Sequence, residues 1–190
     1  MEILETEIPE VKIIIPKVFG DARGFFFESW NRQRYEECGI ACNWVQDNES
    51  RSRFGVLRGL HYQAAPYTQA KLVWVMAGSV LDIAVDIRKG SPTFGKHVAV
   101  ELSADNHWQI FIPRGFAHGF VVRSQEALFA YKCDNRYMPS HERGIAFDDP
   151  SLGIDWQVDR ENYILSDKDT KNPLFRDAEL FDYNDREYLR

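Results

Sequence analysis

Apolar and polar residues alternate along much of the chain between residues 55 and 133. The clearest example is "SVLDIAVDIR", residues 79–88. Every second position is apolar, namely Leu81, Ile83, Val85 and Ile87. The positions between them carry Asp82, Ala84, Asp86 and Arg88. Because successive side chains of a strand point to opposite faces, this pattern predicts a strand with one buried and one polar face.

Several other short segments predict strands and are bounded by turn residues. They are residues 55–63, 71–76, 97–103, 108–113, 116–124 and 127–133. The dipeptide Ala77-Gly78 predicts a tight hairpin between the strand at 71–76 and the strand at 79–88. Many short strands at close, regular spacing are typical of an antiparallel sandwich or barrel, so we expect a mainly all-β fold.

Few helices are predicted. One short helix fits residues 31–39, with Ser29 or Asn31 as its N-cap and Gly39 as its C-terminal stop. We expect one domain over residues 1–190, since no linker, repeat or low-complexity segment interrupts it. Its expected parts are an N-terminal arm at 1–30, a barrel at about 31–148 and a loop-rich acidic tail at about 149–190.

Composition narrows the function classes. The chain has 190 residues, 44% of them hydrophobic, and a formal net charge of -6, which argues against a nucleic-acid partner. Neither a membrane-spanning apolar run nor a signal peptide is recognisable, so we expect a cytoplasmic protein. The cysteines, Cys38, Cys42 and Cys133, form no zinc or disulfide pattern.

Two strand histidines are candidates for chemistry: His61 in "RGLHYQ" and His118 in "GFAHGF". Each has a glycine nearby, which permits close approach of a ligand or of another strand. A histidine in such a place is a proton-handling base, a metal ligand or a hydrogen-bonded core residue. The segment "LHYQAAPY" contains no His-x-His pair, so a metal centre is not indicated.

Other candidates have two interpretations each. Lys71 is either a solvated strand end or a cation for an oxyanion. Tyr131 is either a core residue or a proton-transferring phenol. In "LSDKD", Ser166 and Asp169 have capping spacing, but Pro173 excludes a long helix. Asp169 is therefore free to orient a histidine.

Six motifs occur in order along the chain: "KVFGDARGFFFES", "VQDNESRS", "GVLRGLHYQ", "AVDIRKGSPTFG", "IPRGFAHGF" and "LSDKD". Together they resemble the dTDP-4-dehydrorhamnose 3,5-epimerase family, over about residues 8 to 181. The resemblance implies a cupin-type β jelly roll, a homodimer, and an isomerase that needs neither metal nor cofactor. It also implies a dTDP-4-dehydro-6-deoxy-sugar as substrate.

The resemblance also implies roles for individual positions. The base matches His61, its carboxylate partner Asp169, the lysine near the ketone Lys71, and the proton-donating tyrosine Tyr131. Phe19 matches an arm aromatic that reaches a thymine pocket across the dimer, and Tyr137 matches a second tyrosine near the sugar. The other substrate-binding positions match Arg23, Glu28, Gln46, Asn48, Arg58, His118, Glu142 and Lys168. Arg136 stands where an aromatic residue is expected, so a guanidinium plane could stack on the base instead.

The implied chemistry accounts for these residue types. Removal of a proton beside a ketone requires a base and leaves an enolate, which requires a cation. Inversion requires a separate acid on the opposite face. The alternatives are an epimerase acting at one carbon only, a sugar-nucleotide ketoisomerase, a non-catalytic binding protein and a metal-dependent cupin oxygenase.

Overall fold

The computed structural model describes residues 1–189 and contains two main antiparallel sheets. The first has six strands, in the order β1 (Glu2–Glu5), β2 (Lys12–Ile15), β11 (Gln109–Ile112), β7 (Lys71–Ala77), β13 (Glu126–Cys133) and β5 (Gln46–Arg53). The second has five, in the order β10 (His97–Ser103), β8 (Ser79–Asp86), β12 (Phe116–Val122), β6 (Leu57–Gln63) and β14 (Glu142–Gly144). Two packed antiparallel sheets with this crossing order form a jelly roll, so the prediction of an all-β, cupin-type fold is confirmed.

Smaller elements complete the fold. Two short pairs are β3 (Phe19–Asp21) with β4 (Gly24–Phe26), and β9 (Arg88–Lys89) with β15 (Phe181–Asp182). The α-helix α1 spans Arg32–Glu37. The 3-10 turns are Pro139–His141, Arg160–Asn162, Asp169–Lys171, Phe175–Asp177 and Glu187–Leu189.

The helix boundaries follow the sequence signals. Asn31 is the N-cap, and its side chain accepts a hydrogen bond from the backbone N–H of Arg34 at 3.2 Å. Gly39 has a φ of 78°, the left-handed conformation that ends helices at little cost for glycine. Asn31, rather than Ser29, therefore begins the helix.

Strand β8 corrects the first sequence prediction. The prediction that one face of this strand is polar and exposed was wrong, because Asp82 and Asp86 are both fully buried and Arg88 is nearly so. One face of β8 points between the two sheets, where Val80 and Ala84 pack in the main core. Its other face is covered by the C-terminal region, so both faces are removed from water.

The predicted hairpin at Ala77-Gly78 was also wrong. Strand β7 pairs with β11 and β13, whereas β8 pairs with β10 and β12 in the other sheet. Gly78 has a φ of 74°, and an added Cβ would lie 1.9 Å from the carbonyl oxygen of Glu126. The turn therefore carries the chain from one sheet to the other, as a jelly roll requires.

Three apolar layers hold the molecule together. The first lies between the sheets and includes Val73 and Phe129 from one and Phe120 from the other. The second lies between the five-stranded sheet and the C-terminal region, with Trp156 at its centre. The third packs α1, through Tyr35, on the outer face of the six-stranded sheet. The space left open between the sheets is therefore the interior of a rigid scaffold.

The two candidate histidines meet where two backbones come close together. His61 on β6 pairs directly with His118 on β12. A Cβ added to Gly59 would lie 2.5 Å from the Cα of Gly119, so only glycine fits at this crossing. The glycines near the histidines thus bring the two strands together.

The predicted division into arm, barrel and tail stays a prediction. Within the predicted arm, the structure places Glu2–Glu5 and Lys12–Ile15 in the six-stranded sheet. The β3–β4 hairpin, with its turn at residues 21–24, projects from the barrel and is largely exposed. None of the helices within residues 1–189 is long and apolar enough to cross a lipid bilayer.

Candidate active site

A cavity of about 630 Å³ opens between the two sheets. Its walls contain every predicted site residue except those of the N-terminal arm, including Lys168 and Asp169 of the "LSDKD" motif. These are Gln46, Asn48, Arg58, His61, Lys71, His118, Tyr131, Tyr137, Glu142, Lys168 and Asp169. The sequence-predicted site is therefore brought together, apart from its arm residues.

His61 is paired with a buried carboxylate. Its Nε2 lies 2.5 Å from Oδ1 of Asp169, a residue that is only 4% exposed. The Ser166 hydroxyl donates to Oδ2 of Asp169 at 2.7 Å, and the Asp169 N–H donates back to it at 3.2 Å. Since a carboxylate only accepts, one ring nitrogen of His61 donates and the other is left free to take a proton.

The electrostatics of Asp169 fit this role. Burial opposes its ionisation, but the hydrogen bonds from His61 and Ser166 outweigh burial and lower the pKa of Asp169 below its ordinary value. The carboxylate is therefore charged at neutral pH. It fixes the orientation of the imidazole and would stabilise the imidazolium formed after proton abstraction.

Tyr131 and Lys71 lie on the other sheet from His61. Tyr131 is on β13 and Lys71 on β7, and the lysine Nζ is 5.8 Å from the centre of the tyrosine ring. Burial raises the pKa of Tyr131 to about 12, which keeps the phenol protonated. An acid on one sheet thus faces a base on the other across a single cavity.

Lys71 is partly buried at the wall of the cavity. Burial lowers its pKa, while Cys133, Asp82 and Glu142 nearby oppose that shift. Within residues 1–189, no hydrogen bond from the Lys71 ammonium is found, so its donors are available to a ligand. This arrangement suits stabilisation of a developing oxyanion.

His118 has a carboxylate partner of its own. Its Nε2 lies 2.9 Å from Oδ2 of Asp82, and Asp82 is fully buried. Burial lowers the pKa of His118, and Lys71 and His61 lower it further, against the opposing effect of Asp82. His118 is therefore a weaker base than an exposed histidine.

Charged and polar groups surround the mouth of the cavity. Glu142 forms an ion pair with Lys168 and accepts a hydrogen bond from the Tyr137 hydroxyl at 2.6 Å. Burial raises the pKa of Glu142, but the bonds from Lys168 and Tyr137 outweigh it and keep the carboxylate ionised. Gln46 joins this cluster by accepting from the Tyr137 N–H at 2.9 Å.

Two further predicted residues are fixed by neighbours on β5. The Arg58 guanidinium donates to the Ser52 hydroxyl at 3.1 and 3.3 Å. Asn48 accepts from the Gln46 side chain at 2.8 Å. Arg58 is thus held beside the cavity with most of its five donors free for an anion.

The arm residues lie outside the cavity. Phe19 and Arg23 are on the β3–β4 hairpin, and the Arg23 side chain is 90% exposed and paired with Asp21 at 2.5 Å. Glu28 pairs with Arg34 at 3.3 Å instead. A single chain therefore does not bring these three residues to the site.

Arg136 does not face the cavity either. Its guanidinium carbon lies 5.4 Å from the ring centre of Tyr67, on an exposed surface. The suggestion that it stacks on a bound base is therefore not supported by its position.

Sequence reasoning missed Asp82 as a site residue, and it did not connect Ser166 to the base. Asp82 stood only as part of a polar strand face, and its pairing with His118 depends on the β8–β12 register. A second oxygen of Asp82, Oδ1, is buried without a hydrogen-bond partner among the described residues. The alternation of polar residues along 79–88 was the one sequence signal that could have predicted a polar strand face lining the cavity.

No group of three or more His, Cys, Asp or Glu side chains within residues 1–189 is arranged to hold a metal ion. His61 and His118 each meet one carboxylate, and those carboxylates come from different parts of the chain.

Comparison with known proteins identifies the family of the chain. The family model described as dTDP-4-dehydrorhamnose 3,5-epimerase matches residues 5–177. A dTDP-4-dehydrorhamnose 3,5-epimerase of Shigella flexneri is 56% identical over 182 residues, which cover 95% of this chain and 99% of that protein. Its counterpart from Pseudomonas aeruginosa is 52% identical over 182 residues, with the same coverage.

A solved structure from Legionella pneumophila is similar throughout. It is described as a dTDP-6-deoxy-D-glucose-3,5-epimerase in complex with dTDP-4-keto-L-rhamnose. It is 53% identical, superposes with a TM-score of 0.92, and the match covers 96% of this chain and 98% of that one. The chain therefore belongs to the dTDP-4-dehydrorhamnose 3,5-epimerase family.

Proposed function

We propose that this chain is an isomerase of dTDP-L-rhamnose biosynthesis. It inverts the 3- and 5-carbons of dTDP-4-dehydro-6-deoxy-D-glucose and yields dTDP-4-dehydro-L-rhamnose. The observation that carries the proposal is the pairing of His61 with buried Asp169, on the opposite sheet from Tyr131 and Lys71 in one cavity. The family membership supports the same substrate class.

The proposed reaction begins at the half-exposed base. The free nitrogen of His61 removes a proton from a carbon next to the ketone, and the electron pair moves onto the ketone oxygen. Asp169 stabilises the resulting imidazolium. The Lys71 ammonium stabilises the enolate oxygen, since it is a partly buried cation with free donors that lines the cavity.

Reprotonation occurs from the other face. The Tyr131 phenol delivers a proton to the enolate carbon, which inverts the centre and leaves a phenolate to be reprotonated from solvent. The opposite placement of base and acid favours inversion over simple return of the proton. His61 then releases the abstracted proton to solvent and becomes a base again. Repetition at the second carbon flanking the ketone completes the double epimerisation.

The remaining cavity residues bind the substrate. Arg58 is suited to a diphosphate oxygen because its guanidinium has free donors beside the cavity. Glu142, Lys168 and Tyr137 form a polar cluster at the mouth for the sugar. Gln46, Asn48 and His118 complete the predicted binding set.

We further propose that the protein is a homodimer whose arm completes the partner's site. Phe19, Arg23 and Glu28 do not line their own cavity, and the hairpin also exposes Phe25 and Phe26, at 63% and 71%. Exposed aromatics of this extent mark a contact surface rather than an ordinary loop. In the proposed dimer, Arg23 binds an anion in the site of the neighbouring chain.

No cofactor takes part in the proposed mechanism, because the base, acid and oxyanion cation are all side chains. The cytoplasmic location stays a proposal as well. It is compatible with three cysteines that form no disulfide.

Analysis of the product by proton NMR tests the function. Purified protein, with and without a chelator, is incubated with dTDP-4-dehydro-6-deoxyglucose, and ring coupling constants report each centre. Inversion at both carbons, unchanged by the chelator, is expected. Inversion at one carbon would favour the single-site epimerase, a moved carbonyl the ketoisomerase, and chelator-sensitive activity a metal enzyme.

A further inference from the structure

The end of the barrel behind Lys71 is closed by the C-terminal segment, residues 179–189. Phe181 and Tyr62 line a small cavity together with Lys71 and His118. That cavity measures about 10 Å³, which is room for at most one water molecule. Lys71 therefore borders the large substrate cavity on one side and a nearly closed space on the other.

The segment is fastened to the barrel at several points. Strand β15 pairs in parallel with β9, and Phe181 is opposite Arg88 in that register. The Tyr62 hydroxyl donates to the Glu179 carbonyl, and the Thr68 hydroxyl donates to the Tyr188 carbonyl at 2.6 Å. Tyr188 is only 3% exposed. These contacts define a fixed wall.

A buried cation anchors the same segment. The Arg88 guanidinium carbon lies 4.5 Å from the ring centre of Phe116 and 5.2 Å from that of Tyr183. Its donors reach both oxygens of buried Asp86, at 2.7 and 2.8 Å. The wall is thus attached to the barrel through backbone hydrogen bonds and through the cation–π contact of Tyr183 with Arg88, whose guanidinium is held in place by Asp86.

We propose that residues 179–189 form the rear wall of the reaction chamber and that Phe181 is a positioning residue, which keeps bulk water away from Lys71. The inference rests on the proposed role of Lys71 as the oxyanion cation. A substrate bound in the large cavity would displace water from the front of Lys71, and the rear wall would then decide whether water reaches the ammonium. A cation in a dry site stabilises an enolate more strongly than a hydrated one.

The effect of this wall can be measured through the pKa of Lys71. Burial lowers the Lys71 pKa, and removal of part of the wall would hydrate the ammonium and raise that pKa again. The titratable groups that face Lys71 from the neighbouring strands are Cys133 and Tyr131 on β13, Asp82 on β8, His118 on β12 and Glu142 on β14. A change at Phe181 replaces none of these side chains, and of them only His118 also lines the small cavity.

The test compares Phe181→Ala with Phe175→Ala. Both rings belong to the C-terminal region and are half-buried, but Phe175 packs on Phe94 at 5.1 Å and lines neither cavity. The Lys71 signal in ¹³C-lysine NMR, assigned with Lys71→Arg, gives its titration midpoint. The alkaline limb of kcat under saturating substrate gives the same quantity in the complex.

The expected result is a midpoint raised by roughly half a pH unit or more in Phe181→Ala, with a lower kcat, and no shift in Phe175→Ala. An unshifted Lys71 midpoint in folded Phe181→Ala would overturn the proposal. The NMR titration requires no turnover, so this failure is distinct from failure of the epimerase function. If Phe181→Ala does not fold, Phe181→Leu provides the same comparison with a smaller opening.

Discussion

Exposure and pairing distinguish the two histidines of the cavity at the scale of single residues. The His61 side chain is 28% exposed beside Asp169, whereas the His118 side chain is 7% exposed beside Asp82. The Nε2 of each histidine faces a carboxylate, but burial also weakens His118 as a base by lowering its pKa. His61 is therefore the better candidate for proton abstraction, and His118 for substrate contact.

Replacement of Asp169 tests the pairing at this scale. Asp169→Asn removes the charge that stabilises the imidazolium while keeping the size of the side chain. We expect kcat to fall by about 10²-fold or more, as when a base loses its orienting group. Asp167→Asn, an exposed neighbour in the same motif, is the matched control and should leave kcat unchanged. Equal rates for the two variants in a steady-state assay would contradict the role of Asp169.

Replacement of Tyr131 separates exchange from inversion. Tyr131→Phe removes the acid but leaves the base, so a proton taken by His61 is returned to the same face. We expect deuterium from heavy water to enter the substrate while inversion falls by about 10²-fold or more. Both are read in one NMR experiment. Tyr137→Phe, which loses only the bond to Glu142, should raise KM and keep inversion. Normal inversion by Tyr131→Phe would show that another group is the acid.

At the scale of elements, a buried ion pair between Asp86 and Arg88 joins strand β8 to the short strand β9. Asp86 is fully buried and accepts from Arg88, Ser91 and Thr93. Burial opposes its ionisation, yet these donors outweigh burial and lower the Asp86 pKa below its ordinary value. The pair therefore fixes the end of β8, the start of β9 and, through Arg88, the C-terminal wall.

Removal of this charge should affect stability with a definite pH dependence. Asp86→Asn leaves the buried Arg88 cation with Glu10, which is partly exposed, as its only carboxylate partner among the described residues, and we expect a loss of about 3 kcal/mol in the free energy of unfolding. Because the folded pKa is the lower one, the contribution is present above the unfolded value of about 3.9 and disappears as pH falls through the folded value.

Urea unfolding across pH measures both effects. The difference between wild type and Asp86→Asn should be constant near neutral pH and shrink below about pH 4. Asp148→Asn breaks the exposed pair with Arg160 and serves as control, with an expected change of about 1 kcal/mol or less. A difference that grows on acidification would contradict the assigned direction of the Asp86 shift.

The sequence predicted individual strands better than it predicted which strands and layers they pack against. Period-two patterns located the strands, because each strand carries its own alternation. The pattern at 79–88 could not reveal that a second layer, with Trp156, covers its other face. Nor could a glycine turn show that the chain changes sheets at Gly78.

The site shows the same limit. Asp169 lies 108 residues from His61 along the chain, so residue types alone left its role open. The family resemblance supplied the pairing that local patterns could not. Asp82 was missed because its partner is set by strand register, and register depends on the complete sheet.

At the scale of the whole molecule, the cavity of a single chain is not lined by the predicted arm residues Phe19, Arg23 and Glu28. The hairpin holds Arg23 at 90% side-chain exposure, while Arg58 is the arginine within its own cavity. A second chain would supply the missing cation by exchange of arms. Symmetric exchange of this kind builds both sites of a dimer from the same contact.

Mixing two inactive variants tests this exchange. His61→Ala chains have an intact arm and no base, and Arg23→Ala chains have an intact base and no arm arginine. A mixed dimer, purified by two affinity tags, should contain one complete site and recover about half of the wild-type rate. If the arm serves its own cavity, both sites of the mixed dimer are defective and no activity returns.

In the proposed mechanism, His61 abstracts protons from both carbons that flank the ketone. The most direct measurement is proton NMR of dTDP-4-dehydro-6-deoxyglucose in heavy water, with wild type and with His61→Asn. The predicted result is deuterium at both carbons with wild type and none with His61→Asn, although that variant is folded and still binds dTDP. Undiminished exchange in His61→Asn, or no exchange at either carbon in the wild type, would contradict the account.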